Sequence, residues 1–222
     1  MSKITLYIDC VSPYAFFAFH VLETYRHIWK DVEVTYVPIA LGVVMKESGN
    51  RPPIVVANKG KWMHKDIQRT VKELGLGKFS SPPNFPYNSF PAMRALAALR
   101  KGENENDYLN CARALWRAGW TEHKDMSKPE TFVEAFSTVI PQEKAKQYVK
   151  AGSESEAKEE ILATTKKILA DGAFGLPWFD VTNKQGETEH FFGNDRWVHI
   201  TDFLGVEWKG LTVCQGTPNA HL

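Results

Sequence analysis

The chain opens on an alternating stretch, KITLYID, in which Ile4, Leu6 and Ile8 fall on one face. That period of two predicts a strand. Behind it the rhythm changes: Tyr14, Phe17, Ala18, Val21, Leu22, Tyr25, Ile28 and Trp29 recur every three or four residues. This predicts one apolar face of a helix of roughly four turns. VEVTYVP, residues 32–38, alternates again at Val32, Val34 and Tyr36 and reads as a second strand. Strand, helix, strand in that order predicts parallel strands and a right-handed crossover.

From about Lys59 to Ala170 the periods are mostly helical. Trp62, Met63, Ile67, Val71 and Leu74 form one stripe, stopped at Gly75, and are expected to pack in a core. Ala92, Leu96 and Leu99 follow Pro91, and Tyr108, Leu109, Ala112, Leu115 and Trp116 make another stripe. Pro129 and Pro141 open shorter helices. Ser153 with Glu156 has the spacing of a capping box, predicting a helix that carries Ile161, Ile168 and Leu169 and ends at Gly172. SSPPNFPYNSFP, residues 80–91, is too rich in proline for helix or central strand and predicts a stiff aromatic loop.

The last fifty residues return to β structure. WFDVT, NKQGE and TEHFF predict a hairpin around Gly186, followed by GND and a final helix with Trp197, Ile200, Thr201 and Leu204. The whole order predicts an α/β chain, a thioredoxin-like fold interrupted by a helical insertion domain. Residues 1–58 and 171–222 would make the thioredoxin-like domain and 59–170 the insertion.

Composition narrows the partners. The 222 residues carry 27 Lys and Arg against 26 Asp and Glu, a formal charge of +1, so charge makes no case for nucleic acid or an anionic membrane. No apolar run approaches the ~18 residues of a spanning helix. The N-terminus runs straight into a strand without a signal peptide or transit segment. Cys10, Cys111 and Cys214 are widely spaced, which predicts neither a disulfide framework nor a zinc site. The histidines form no metal-binding spacing, and no metal is expected. The chain ends Ala220-His221-Leu222, similar in kind to the Ser-Lys-Leu address, so a peroxisomal location is expected, with mitochondrial or cytoplasmic as alternatives.

Four segments have candidate chemistry. Ser12-Pro13 lies at the first strand-to-helix junction, where serine is an ordinary cap or a hydroxyl aimed at a ligand. GAFGLP, residues 172–177, is a turn before a strand; in a thioredoxin fold its Pro177 would be cis, freeing the backbone of Leu176 to pair with an extended peptide. In FFGNDRW, residues 191–197, Asn194 or Asp195 caps the last helix, or the pair offers a carboxylate and an ammonium their partners. KESGNRPPIVVANKG, residues 46–60, reads as a loop carrying Lys46, Arg51 and Lys59, a solvated basic stretch or a grip for a carboxylate.

Together, Ser-Pro-Tyr after the first strand, SGN-x-PP after the second, GAFGLP before the third and FFG-x-D-R before the last helix resemble the kappa-class glutathione transferases. These are relatives of the DsbA and 2-hydroxychromene-2-carboxylate isomerase families. IWK at 28–30, AMR at 92–94 and GVEWKG at 205–210 extend the resemblance along the chain. It implies that glutathione is a cosubstrate, with no other cofactor, and that Ser12 is the catalytic residue, meeting the glutathione sulfur. Pro13, Tyr14, Asn50, Leu176, Pro177, Asn194 and Asp195 would complete the glutathione site, with Lys59 on the glycine carboxylate. Asn194 stands where many relatives have serine.

The implied reaction conjugates the thiolate to a small electrophile held near Trp62, Met63 and the 80–91 loop, with glutathione peroxidase activity as a further capacity. A glutathione-dependent cis-trans isomerase and a non-catalytic thioredoxin-like module are the alternatives. The resemblance also implies a homodimer. Cys10 and Ser12 form C-x-S, which lacks the pair that disulfide exchange needs; Cys10 is a buried strand residue or a thiol open to oxidation.

Overall fold

The computed structural model describes residues 1–216, so Ala220-His221-Leu222 lies outside the described residues. β1 (Ser2–Ile8) leads into α1 (Pro13–Tyr25), β2 (Val32–Pro38) and a short α2 (Leu41–Glu47). At the other end of the chain come β3 (Trp178–Thr182), β4 (Thr188–Phe192) and α9 (Trp197–Leu204). The four strands form one sheet in the order β2-β1-β3-β4. β1 pairs parallel with β2, Leu6 opposite Tyr36, and antiparallel with β3, Leu6 opposite Phe179.

The central place of β1 explains its sequence. Ile4, Leu6 and Ile8 are fully buried as the alternation predicts, but Tyr7 is buried too. The C-terminal half of the strand is covered on both faces, so the alternation fades there. α1 is likewise buried around most of its circumference, Phe16, Phe19 and His20 joining the expected stripe. It ends at Tyr25; Ile28 and Trp29 follow in turns, and the Trp29 indole donates to the Glu207 carbonyl at 3.0 Å.

Between the two ends lie α3 (Ala57–Glu73), α4 (Phe90–Gly102), α5 (Glu105–Trp116), α6 (Pro129–Ser137), α7 (Gln142–Ser153) and α8 (Ser155–Ala170). Met63, Ile67, Val71 and Leu74 are buried as expected, but Trp62 is 57% exposed and belongs to no core. The capping box at Ser153 does not form. α7 runs on through Ser153, whose hydroxyl donates to the carbonyl of Lys150, and α8 starts behind Glu154 without a side-chain cap. A serine with a helical turn behind it finds that carbonyl before it finds the next helix.

An aromatic seam joins the helical layer to α1: Phe79 stacks on Phe16 at 5.1 Å and on Trp120 at 5.0 Å between ring centres. After α9 the chain returns as a strap in which Trp208 stacks on both Tyr25 and Trp197. Among the described residues no helix is long and apolar enough to cross a membrane.

Candidate functional site

The segment between β1 and α1 is held on all sides. Ser12 occupies the N-cap with extended backbone, and its Oγ accepts from the Ala15 N–H at 3.1 Å. The cap is thus made by the hydroxyl itself. Pro13 follows at the first helical position. The carbonyl of Cys10 accepts from the Tyr87 hydroxyl at 2.7 Å and the Trp120 indole at 3.0 Å, and the carbonyl of Ser12 accepts from the Trp116 indole at 3.1 Å. Three aromatic side chains from the helical layer therefore fix the turn that presents Ser12.

The first turn of α1 leaves two donors. Pro13 has no N–H, the Ala15 N–H goes to Ser12 Oγ, and the Phe16 N–H goes to the Ser12 carbonyl. Among the described residues the Tyr14 N–H has no acceptor, and the Ser12 O–H donates to none. An amide at a helix N-terminus beside a hydroxyl donor suits an anion.

Two cavities meet here. The first, about 960 Å3, is lined by Tyr14, Lys59, Leu176, Pro177, Asn194 and Asp195, among others. The second, about 710 Å3, takes in Ser12, Pro13 and Asn50 with the apolar Leu41, Phe85 and Phe90. Tyr14, Pro53, Lys59, Met63, Leu176 and Phe192 line both, so the cavities are halves of one site. Every residue that the resemblance placed in the glutathione site lines one half or the other.

Several details differ from expectation. Residues 46–60 are not one loop: Lys46 lies in α2 and lines neither cavity, while Lys59 lies in the first turn of α3. The Asn50 amide donates to the Phe174 carbonyl at 2.7 Å and so pins this stretch to the turn before β3. Neither Asn194 nor Asp195 caps α9. Arg196 holds the cap position without a side-chain bond, and Asp195 pairs with the Arg196 guanidinium at 2.8 Å. Gly193, at φ 106°, lets the Asp195 carboxylate fold back to within 2.7 Å of where a Cβ would stand, drawing it off the helix amides. Asn194 Oδ1 is buried without a partner. Trp62 lines the first cavity only, whereas the 80–91 loop faces the second through Phe85, Pro86, Tyr87, Asn88 and Ser89.

The Leu176–Pro177 bond is cis, as anticipated. Among the described residues neither the N–H nor the C=O of Leu176 has a hydrogen-bond partner. One extended strand of ligand backbone could take both. The Tyr14 hydroxyl donates to Asp66 of α3 at 2.9 Å, and burial with that carboxylate raises its pKa, so it stays protonated. Cys10 stands in the turn after β1 rather than in the strand; burial first and the Asp9 carboxylate second push its thiol well up.

Two contributors were not anticipated. Asp9 is fully buried behind the lining of the second cavity, and burial raises its carboxyl to about 6. An acidic residue closing a buried strand just before the helix cap was its only signal. Trp208, Gly210 and Leu211 of the C-terminal strap wall the first cavity, and nothing in their local pattern points there.

The comparisons with known proteins agree with this architecture. The DSBA-like thioredoxin domain family matches residues 3–205. Glutathione S-transferase kappa 1 of Caenorhabditis elegans is 32% identical over 209 residues, 92% of this chain and 91% of that protein. Glutathione S-transferase kappa 1 of Homo sapiens is 29% identical over 217 residues, 93% of this chain and 92% of that one. The chain belongs to the DSBA-like thioredoxin domain family and, within it, to the kappa-class glutathione transferases. A solved 2-hydroxychromene-2-carboxylate isomerase shares the fold with a TM-score of 0.74 at 20% identity, covering 91% of this chain and 94% of that one.

Proposed function

We propose that this protein is a glutathione transferase that conjugates the glutathione thiolate to a small apolar electrophile. The observation that carries this is the pair of free donors at the start of α1, set where two cavities adjoin. The first cavity suits a short charged peptide: free backbone groups at Leu176, an ammonium at Lys59, a carboxylate at Asp195 and the buried acceptor of Asn194 nearby. The second, lined in part by Leu41, Phe85 and Phe90, suits an apolar reactant.

The chemistry needs no covalent enzyme intermediate. A free thiol with a pKa of ~8.5 is only a few per cent ionised at neutral pH, and the thiolate is the nucleophile. The Ser12 O–H and Tyr14 N–H bond an anionic sulfur more strongly than the weakly accepting neutral thiol, so they favour ionisation. Lowering the pKa by about two units takes about 2.7 kcal/mol. Among the described residues the Ser12 side chain hydrogen-bonds only an amide, the Ala15 N–H, and no base that would make it a nucleophile.

The test is calorimetric binding of glutathione, followed by a thiol count during turnover with chlorodinitrobenzene. Stoichiometric loss of free thiol supports a transferase. Turnover of a cis-enone without thiol loss would point to isomerisation, and no glutathione binding would contradict both.

We also propose that the protein is a homodimer. Ile54, Val55, Val56, Trp62 and Val198 are large, apolar and exposed, and Trp62 and Val198 stand at the rim of the first cavity. A second copy would cover such a rim. A monomeric mass in light scattering at micromolar concentration would refute it.

A further inference from the structure

Among the described residues Asp9 is the fully buried carboxylate that meets three segments of the site at once. Oδ1 accepts from the Val11 N–H at 3.1 Å, within the turn that presents Ser12. Oδ2 accepts from the Leu41 N–H at 2.9 Å. Leu41 is the first residue of α2, whose own cap position is Ala40, with no side chain to serve. The Ser89 side chain, at the end of the proline-rich loop and the start of α4, stands beside the same carboxylate and favours its charged form. Val11, Leu41 and Ser89 all line the second cavity.

We propose that Asp9 is a positioning residue for the electrophile half of the site, its ionised carboxylate holding α2 and the proline-rich loop against the Ser12 turn. The proposal rests on the transferase reading only for what the second cavity holds. A carboxylate accepts from both N–H groups and is favoured by Ser89. A protonated carboxyl presents an O–H in place of one acceptor, and an N–H cannot pair with it, so one wall of the cavity loses its tie. Burial favours that protonation and raises the carboxyl to about 6, while Ser89 and the Leu41 and Val11 N–H groups oppose it.

The neighbouring titratable groups do not compete in that range. Burial pushes the Cys10 thiol and the Tyr87 hydroxyl well above their ordinary values, so both stay neutral. Arg51 and Lys59 line the same cavity, but neither bonds Asp9. Asp9 is therefore the group in this wall whose charge changes under mild acid.

The experiment uses the full chain. Amide resonances of Val11 and Leu41, followed without ligand, should titrate together with a midpoint about 6. Ser89→Ala removes a group that favours the charged form and should move that midpoint to higher pH. At saturating glutathione, the KM for chlorodinitrobenzene should rise about tenfold as pH falls through the same midpoint, the scale of one lost bond to a charged group. Asp9→Asn should show the raised KM at every pH. Amides that stay flat, a midpoint that ignores Ser89→Ala, or a KM that ignores the midpoint would each overturn the proposal. Calorimetric glutathione binding in the same samples separates the two readings. Its loss in the unaltered protein contradicts the transferase, whereas a flat KM with binding intact contradicts Asp9 alone.

Discussion

Asp9 and His20 make the acid behaviour of the fold a balance of opposed terms, and replacing Asp9 by Asn exposes it. Burial raises Asp9 from 3.8 to about 6. The folded chain thus holds that proton more tightly than the unfolded one, and on this account stability increases as pH falls through that range. His20 works the other way. Burial, first, lowers it from 6.5 to about 4, so below pH 6.5 the unfolded chain takes up a proton that the folded chain refuses, and stability falls.

Between about pH 7.5 and 4.5 Asp9 contributes about 2 kcal/mol in favour of folding on acidification, and His20 a comparable amount against it. In the unaltered protein the two nearly cancel. Asp9→Asn removes one side, so its stability should fall in acid by about 2 kcal/mol more than that of the parent. His20→Gln should show the reverse trend. Urea unfolding followed by tryptophan fluorescence at stepped pH measures both. A difference between parent and Asp9→Asn that stays constant within about 0.5 kcal/mol across the range would refute the reasoning.

Two further outcomes follow from the site. Asp195→Ala should weaken glutathione binding about tenfold, the effect of one charge-assisted bond at an exposed position, and calorimetry showing equal affinity would remove Asp195 from the site. Tyr87→Phe should cost about 1 kcal/mol, because the Cys10 carbonyl keeps its bond from Trp120. With Trp120→Phe added that buried carbonyl has no donor left, so the double variant should lose more than the sum of the two; simple additivity would contradict the shared-acceptor geometry.

Much of the fold was legible because its strands and helices keep their periods. β2, the hairpin and the helices opened by Pro129 and Pro141 stand where the pattern put them. The period failed where burial is not one-sided: α1 packs around nearly its whole circumference, so a single stripe undercounts its core. Trp62 matched the helical repeat yet faces solvent at the cavity rim, because a repeat identifies a face and not what covers it. In the site, Ser12 and Pro13 were legible as a cap because capping is local in sequence. The cap expected at Asn194 or Asp195 failed on a tertiary detail, the back-fold that Gly193 permits and Arg196 completes. Asp9 stayed hidden for a related reason. Leu41 and Ser89, two of its three partners, are 32 and 80 residues away, and no local pattern announces a long-range acceptor.

The central claim is that the Ser12 hydroxyl stabilises bound thiolate. The direct measurement is the ultraviolet absorbance of glutathione thiolate in the complex, titrated against pH for the parent and for Ser12→Ala. The variant also frees the Ala15 N–H from its acceptor and should lose about 1 kcal/mol of stability, which leaves the protein folded for the assay. The account predicts a bound-thiol pKa well below its free value of ~8.5 in the parent and a rise towards that value in Ser12→Ala, with activity partly recovered in alkali. A bound-thiol pKa that is the same in both proteins, with Ser12→Ala equally impaired at every pH, would contradict it.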